Sequence, residues 1–252
     1  VGKATAAALL ALLAAAISGF SFHGQTLGLG MLYGISLAVS MCAGLTALSL
    51  GSMAITTMLA SFSLIIPCFA GLVFLDESLS AAGMVGLVLL ALSVILLNKK
   101  KSTSPISGKC WFFSLLTMVT NGICSVIQKL HQVRFPGEYQ VEFMLFAMAV
   151  AALLLLIFDR IPRGSDNKQP QEPTDIRTVL LGSAAGVCNC ISNFLTLSLA
   201  AGENASVLFP VLSAANAVAA VIVGRLIFRE RLTRAQALSV ALGIAAVVLL
   251  KL

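Results

Sequence analysis

The chain has 252 residues, of which 59% are apolar and only 10% charged, with a formal net charge of +6 and a mean hydropathy of +1.01. Soluble domains carry about 25% charged residues, so this composition excludes an ordinary soluble fold: too little polar surface exists to screen the apolar side chains from water. Lipid removes that conflict, and the positive charge then marks loop topology rather than a nucleic-acid partner.

About 20 apolar residues cross a bilayer. Runs of that length lie at 3–20, 27–49, 52–75, 80–97, 110–130, 139–158, 178–199, 204–228 and 234–251. They predict an all-α integral membrane protein with nine transmembrane helices. No continuous strand alternation competes, and barrel strands are much shorter. Most connections are a few residues long. The exceptions are a Lys- and Ser-rich linker at 98–109 and a polar loop at 159–177 holding Pro162, Pro170 and Pro173. When successive loops alternate sides, only Lys129, Arg134 and Lys251 fall on one side, and the other 13 of the 16 Lys and Arg residues fall opposite. The rich side is then cytoplasmic and the C-terminus outside. A multi-pass protein of the cell membrane, in a bacterium the inner membrane, is the expected location.

The chain repeats itself. FLDESLSAAGMVGLVLLALSVILL at 74–97 aligns without gaps to IFRERLTRAQALSVALGIAAVVLL at 227–250, an offset of 153. Glu77 matches Glu230, Leu79 matches Leu232 and Ser80 matches Thr233. Helices two to four thus correspond to seven to nine, and the first to the sixth by position. The fifth has no partner, which predicts an opening helix ahead of Val1 and ten helices in two five-helix repeats. The expected domains are 1–98, a first repeat lacking its opening helix; 99–109, a cytoplasmic linker; and 110–252, a second repeat. Glu77 falls outside and Glu230 inside, so the repeats enter the membrane in opposite directions, a plan that recurs in secondary transporters.

Polar groups inside a bilayer are costly, so their placement is informative. Ser114, Thr117, Asn121, Ser125 and Gln128 recur at three or four residues on the fifth helix, which puts them on one face. Asn189, Asn193 and Thr196 do so on the seventh; Ser206, Pro210, Ser213 and Asn216 on the eighth; Tyr33, Ser36 and Ser40 on the second; Thr56, Ser63 and Pro67 on the third. The functional reading is one wet cavity with Asn121, Gln128, Asn189, Asn193, Asn216, Tyr33 and Ser213 as substrate-binding residues. The plain alternative is that such groups bond neighbouring helices, at about 0.6 kcal/mol each. Amides favour the cavity, because an amide has several bonding sites to satisfy. Pro67 and Pro210 interrupt their helices' hydrogen bonding and are candidate gates.

The remaining features are read plainly. Gly30/Gly34 and Gly182/Gly186 are GxxxG pairs suited to close helix packing. The fourth and ninth helices carry only Ser93 and Ser239 near mid-span and are expected to face lipid or a second copy of the chain, so a homodimer is a candidate assembly. Lys129 and Glu142 are expected at the outer interface, where Lys129 could meet an anionic substrate at the cavity mouth. His23 and His131 fall in separate outer loops. Six cysteines without CxxC spacing predict neither metal nor disulfide framework. No metal, cofactor or catalytic set is expected: HExxH, GxSxG, aspartate-rich and GxxxxGK[ST] motifs are all missing from the sequence.

GLVFLDESLS and GRLIFRERLT, with ALSLGSMAITTMLASFSLIIP and AGENASVLFPVLSAANAV before them, resemble the drug/metabolite transporter superfamily, in particular proteins with paired EamA-like domains. TNGICSVIQKLHQ resembles the opening helix of the second repeat in a bacterial branch of that family. The resemblance implies ten helices, a central cavity formed by the first four helices of each repeat, and a peripheral last helix. It departs in lacking the opening helix and in placing the C-terminus outside. The function expected is a secondary transporter that moves a small metabolite or drug-like molecule by alternating access. Flipping of a lipid-linked group, or a non-transporting membrane scaffold, stands as the alternative.

Overall fold

The computed structural model describes residues 23–50, 53–75, 77, 80–97, 107–160, 176–226 and 234–251. The apolar run at 3–20, most of the 98–109 linker, most of the 159–177 loop, and Glu230 lie outside the described residues. All the secondary structure described is helical: α1 (Gly24–Leu50), α2 (Met53–Phe62), α3 (Ile65–Phe74), α4 (Ala81–Leu97), α5 (Gly108–Arg134), α6 (Gln140–Arg160), α7 (Ile176–Leu199), α8 (Ala205–Leu226) and α9 (Arg234–Lys251). Among the described residues, α1, α5 and α6 through Phe158 are long and apolar enough to cross a membrane by length and composition. Large apolar side chains face outward on most helices, among them Leu45 at 68% exposure and Phe74 at 77%. Water would not tolerate so much exposed apolar surface, whereas hydrocarbon does. The chain is therefore read as a multi-pass membrane protein.

The run at 52–75 is two helices rather than one. Pro67 has no N–H to give the carbonyl four residues earlier, that of Ser63. The Ile66 N–H bonds that carbonyl instead, at 3.2 Å, and Ser63 N–H bonds back to Ala60 at 3.2 Å. These tighter turns end α2 and start α3. Side-chain caps set two other starts: Ser80 Oγ accepts the Gly83 N–H at 3.0 Å at the head of α4, and Ser107 Oγ accepts the Lys109 N–H at 3.3 Å at the head of α5.

The chain divides into two compact units, 1–38 with 127–202 and 39–126 with 203–252. In the first, the opening half of α1 packs on α6. A Cβ on Gly30 would stand 3.0 Å from the Phe143 carbonyl oxygen, and one on Gly34 would collide with the Ala147 carbonyl. Gly30 and Gly34 thus permit the close approach expected of a GxxxG pair, while Gly182 faces open space. Tyr33, Phe143, Met144, Ala147, Met148, Ala151 and Leu197 form the buried interior. The α5–α6 turn is closed by Gly137 (φ 75°) and by Tyr139 (φ 51°), a left-handed conformation that is uncommon for a non-glycine residue.

In the second unit, Leu64, Cys68, Leu90, Ala214 and Ala246 form a core drawn from α3, α4, α8 and α9 and the residue ahead of α3. Here α4 and α9 pack on each other. Ser93 Oγ donates to the Ser239 carbonyl at 2.7 Å and Ser239 Oγ donates to the Ser93 carbonyl at 2.8 Å. The inner faces of α4 and α9 therefore meet, a correction to the expectation that they simply face lipid or another copy. Their other faces stay exposed through Met84, Val88, Leu238 and Val248.

Candidate functional site

The first unit brings together four of the residues singled out by sequence. Tyr33 projects from α1, Gln128 from α5, and Asn189 and Asn193 from α7, one turn apart. Tyr33 Oη donates to Asn193 Oδ1 at 2.9 Å. Gln128 Nε2 donates to Tyr33 Oη at 3.3 Å and to the Asn193 carbonyl at 3.2 Å. Asn193 Nδ2 donates to the Asn189 carbonyl at 2.9 Å and to Asn189 Oδ1 at 3.0 Å. Tyr33 is 1% exposed and Gln128 3%, while Asn193 is half-buried and Asn189 exposed. The network thus runs from a sealed end at Gln128 to an open end at Asn189. Its groups are neutral and carry both donors and acceptors. They can bind an uncharged hydrogen-bonding ligand by exchanging protein bonds for ligand bonds.

The other candidates sit in the second unit. Asn121 accepts the Ser40 hydroxyl at 2.8 Å. Ser213 is half-buried and Asn216 exposed, and no hydrogen bond joins either to another candidate. Pro67 and Pro210 are fully buried. Pro210 withholds an N–H from the Ser206 carbonyl four residues earlier, and Cys68 Sγ, beside Pro67, lies 3.9 Å from that carbonyl as its donor. Most single hydroxyls on the stripes serve packing. Thr117 and Thr196 donate to carbonyls one turn back, at 2.9 Å each, and the Ser114 hydroxyl meets that of Thr56 at 3.1 Å.

Four charged or titratable groups have surroundings that the sequence did not indicate. Lys129 and Glu142 are both buried against protein, and Lys129 Nζ donates to the Ala200 carbonyl at the end of α7, at 3.2 Å. A cation there satisfies the negative end of the helix dipole. His23 and His131 are not in separate surroundings. His131 lies in the last turn of α5, and both rings pack on Phe135, at 4.7 Å for His23 and 5.5 Å for His131.

Glu77 is a structural residue that the sequence marked only as a repeat signature. Its carboxylate accepts the backbone N–H groups of Ala205 at 2.8 Å and Ser206 at 3.0 Å, and the Ser206 hydroxyl at 3.0 Å. It caps α8 in place of a local Ser or Asp, where the helix dipole favours an anion. The signal available was the adjacent carboxylates of Asp76 and Glu77 between two apolar runs.

No group of three or more His, Cys, Asp or Glu side chains suited to a metal occurs among the described residues.

The described helices and their outward apolar surface define the class, a multi-pass membrane protein with a neutral polar network in one of its units. The EamA-like transporter family matches residues 108–252, more than half of the chain, and the chain belongs to that family. Its members are transporters of small molecules, which makes a small-molecule substrate and membrane lipid the partners of this chain. A solved crystal structure with 18% identity aligns over 100% of this chain and 97% of its own, with a TM-score of 0.63. At that identity the likeness concerns the fold alone. No curated protein matches the chain.

Proposed function

We propose that the chain is a secondary transporter that carries a small, uncharged, hydrogen-bonding metabolite across the cell membrane by alternating access. The observation that carries this reading is the Tyr33–Gln128–Asn193–Asn189 network, closed at one end and open at the other. A substrate entering at Asn189 would replace the Asn193 bonds one by one. In the second unit, Asn121, Ser213 and Asn216 are proposed as separate substrate contacts, and Pro67 and Pro210 as hinges. The absence of a charged group from the network argues against an anionic or cationic substrate there, and the buried position of Lys129 argues against a cationic mouth.

Inverted repeats are part of this proposal. The family match over 108–252 supports a second repeat at 110–252, with the first at 1–98 and the linker at 99–109. The 153-residue offset carries Ser93 onto Ala246 and Ser239 onto Gly86. Ser93 bonds Ser239, and a Cβ on Gly86 would stand 2.9 Å from the Ala246 carbonyl oxygen. Exchanging the repeats thus converts one observed contact into another, as a pseudo-two-fold relation requires.

The test is a thermal-shift screen of uncharged metabolites on the purified full chain in detergent, followed by counterflow in liposomes. Hits should raise Tm in the wild type and lose that effect in Asn193→Ala and Gln128→Ala. Hits insensitive to both substitutions would remove the network from the substrate path.

A second reading, flipping of a lipid-linked group, has one observation in its favour. A cavity of about 430 Å³ beside Pro67 is lined wholly by apolar residues, Ile65, Ile66, Phe69, Ala70, Phe74, Ile123 and Val126. An acyl chain would fit such a lining. The reading ranks second because that cavity offers no polar group to a head group.

A further inference from the structure

The end of the first unit holds a buried histidine whose protonation state is set by its neighbours. His131 is 0% exposed, and its ring packs between Phe143 at 4.6 Å and Phe135 at 5.5 Å. Its Nδ1 lies 3.2 Å from Gln132 Nε2. The orientation of that amide is fixed from the other side. Gln132 Oε1 accepts the backbone N–H of Gly137 at 3.0 Å, and a backbone N–H only donates. Gln140 Nε2 donates to the same oxygen at 3.3 Å. The Gln132 nitrogen therefore turns toward the ring, and His131 Nδ1 has to accept. The ring is then neutral, with its proton on Nε2, and that buried nitrogen has no hydrogen-bond partner among the described residues.

The same amide closes the α5–α6 turn. It holds Gly137 and Gln140 across a segment in which Tyr139 takes a left-handed conformation, an arrangement that persists only when its surroundings enforce it. Gln140 Oε1 in turn accepts the Ser198 hydroxyl of α7 at 2.7 Å. On its other side, the His131 ring touches Phe143, whose ring lies 5.5 Å from Tyr33. His131 is three residues after Gln128 on α5. The clamp thus joins α5, α6 and α7 beside the sealed end of the polar network.

A proton added at Nδ1 would set an N–H against the Gln132 N–H and break the clamp. The closed turn and the protonated ring exclude each other, so states with an open turn bind one more proton. By linkage, falling pH favours opening, by up to about tenfold in the equilibrium per pH unit while the ring titrates. The charged or titratable groups nearby are Glu142 of α6 and Lys129 of α5, both buried, His23 across the Phe135 ring, and Arg134 and Glu138 exposed at the turn. An ionisable group buried within a membrane-spanning chain marks function by default.

We infer that the His131–Gln132 pair is a proton-operated latch on this end of the first unit, so that opening takes up a proton and transport is coupled to pH. As coupling to transport, this rests on the alternating-access reading above; as a latch, it does not.

A nitroxide at position 138 of the otherwise full-length chain in nanodiscs reports the turn. Its mobile fraction should rise several-fold as the pH falls from about 7 to about 4, that is, below the ordinary histidine value of about 6.5. The rise should vanish in His131→Gln and persist in His23→Gln and Glu142→Gln. Gln132→Leu should be mobile at both pH values. An unchanged pH response in His131→Gln overturns the latch. If His131→Gln fails to fold, nitrogen-15 histidine NMR of the wild type decides, because only two histidines need assignment. A neutral Nε2–H tautomer for His131 at high pH is expected, and an Nδ1–H tautomer overturns the latch. A pH-dependent turn in a chain whose polar network is never wet would support the latch and refute transport. A wet network with a pH-independent turn would refute the latch alone.

Discussion

Glu77 shows what one side chain contributes here. It satisfies two of the N–H groups that every helix start leaves unpaired and does so from outside the helix it caps. Glu77→Ala should lower stability by about 1–2 kcal/mol, the usual cost of losing a cap, and Glu77→Gln should lose only part of that. Thermal unfolding in detergent measures both; equal and negligible shifts would mean that water replaces the carboxylate freely. Gly34 offers a sharper case. Gly34→Ala places a methyl on the Ala147 carbonyl, and overpacking of this kind costs about 1–3 kcal/mol, whereas Gly182→Ala enters open space and should change Tm little. The GxxxG spacing suggested both glycines equally. Spacing shows which face a residue occupies; only the neighbouring helix shows whether that face is crowded. The same limit hid the burial of Lys129, Glu142 and His131. Their linear distance from an apolar run indicated depth in the membrane, but not enclosure by α6 and α7.

At the scale of the element, the helices were legible because a span needs about 20 apolar residues and little else. The break at Ser63–Leu64 was not read as a boundary, since a proline inside a membrane helix is often absorbed. Here the Ser63 carbonyl turns to Ile66, and the helix divides. Pro210 is absorbed within α8, with Cys68 next to the carbonyl it frees. The two prolines therefore make separate predictions. Pro210→Ala should leave the fold intact and raise Tm, by restoring one helix bond. If the prolines are hinges, it should also slow counterflow. An unchanged rate with a raised Tm would leave Pro210 as packing only. On α4 and α9, Ser93→Ala removes a membrane-buried hydroxyl pair and should cost about 0.6 kcal/mol. Each of these two helices showed one serine near mid-span in the sequence, yet the pairing emerges only when the two helices lie together.

For the whole molecule, the large composition bias and the 153-residue offset made the class and the family-level fold readable. The candidate site was read in part. Tyr33, Gln128, Asn189 and Asn193 were singled out because each belongs to a polar stripe on an otherwise apolar helix. Their mutual satisfaction was not readable, since hydrogen-bond partners depend on which faces meet. The charge bias predicts an external C-terminus, and a C-terminal epitope should be accessible on intact cells. Protection of that epitope until the cells are opened would reverse the assigned sides.

The central claim is that the polar faces of α5 and α7 line a path for a ligand. Single cysteines at 121, 128, 189 and 193 test it most directly, in the full chain with its six native cysteines replaced and with controls at the exposed apolar positions 115, 119, 191 and 195. The account predicts labelling by a membrane-impermeant reagent that is fastest at 189, slower at 193, and slowest but measurable at 128. Rates at the controls should be lower by at least about tenfold, because hydrocarbon excludes the charged reagent. Equal protection at the polar and control positions would contradict it, and would leave these amides as bonds between helices.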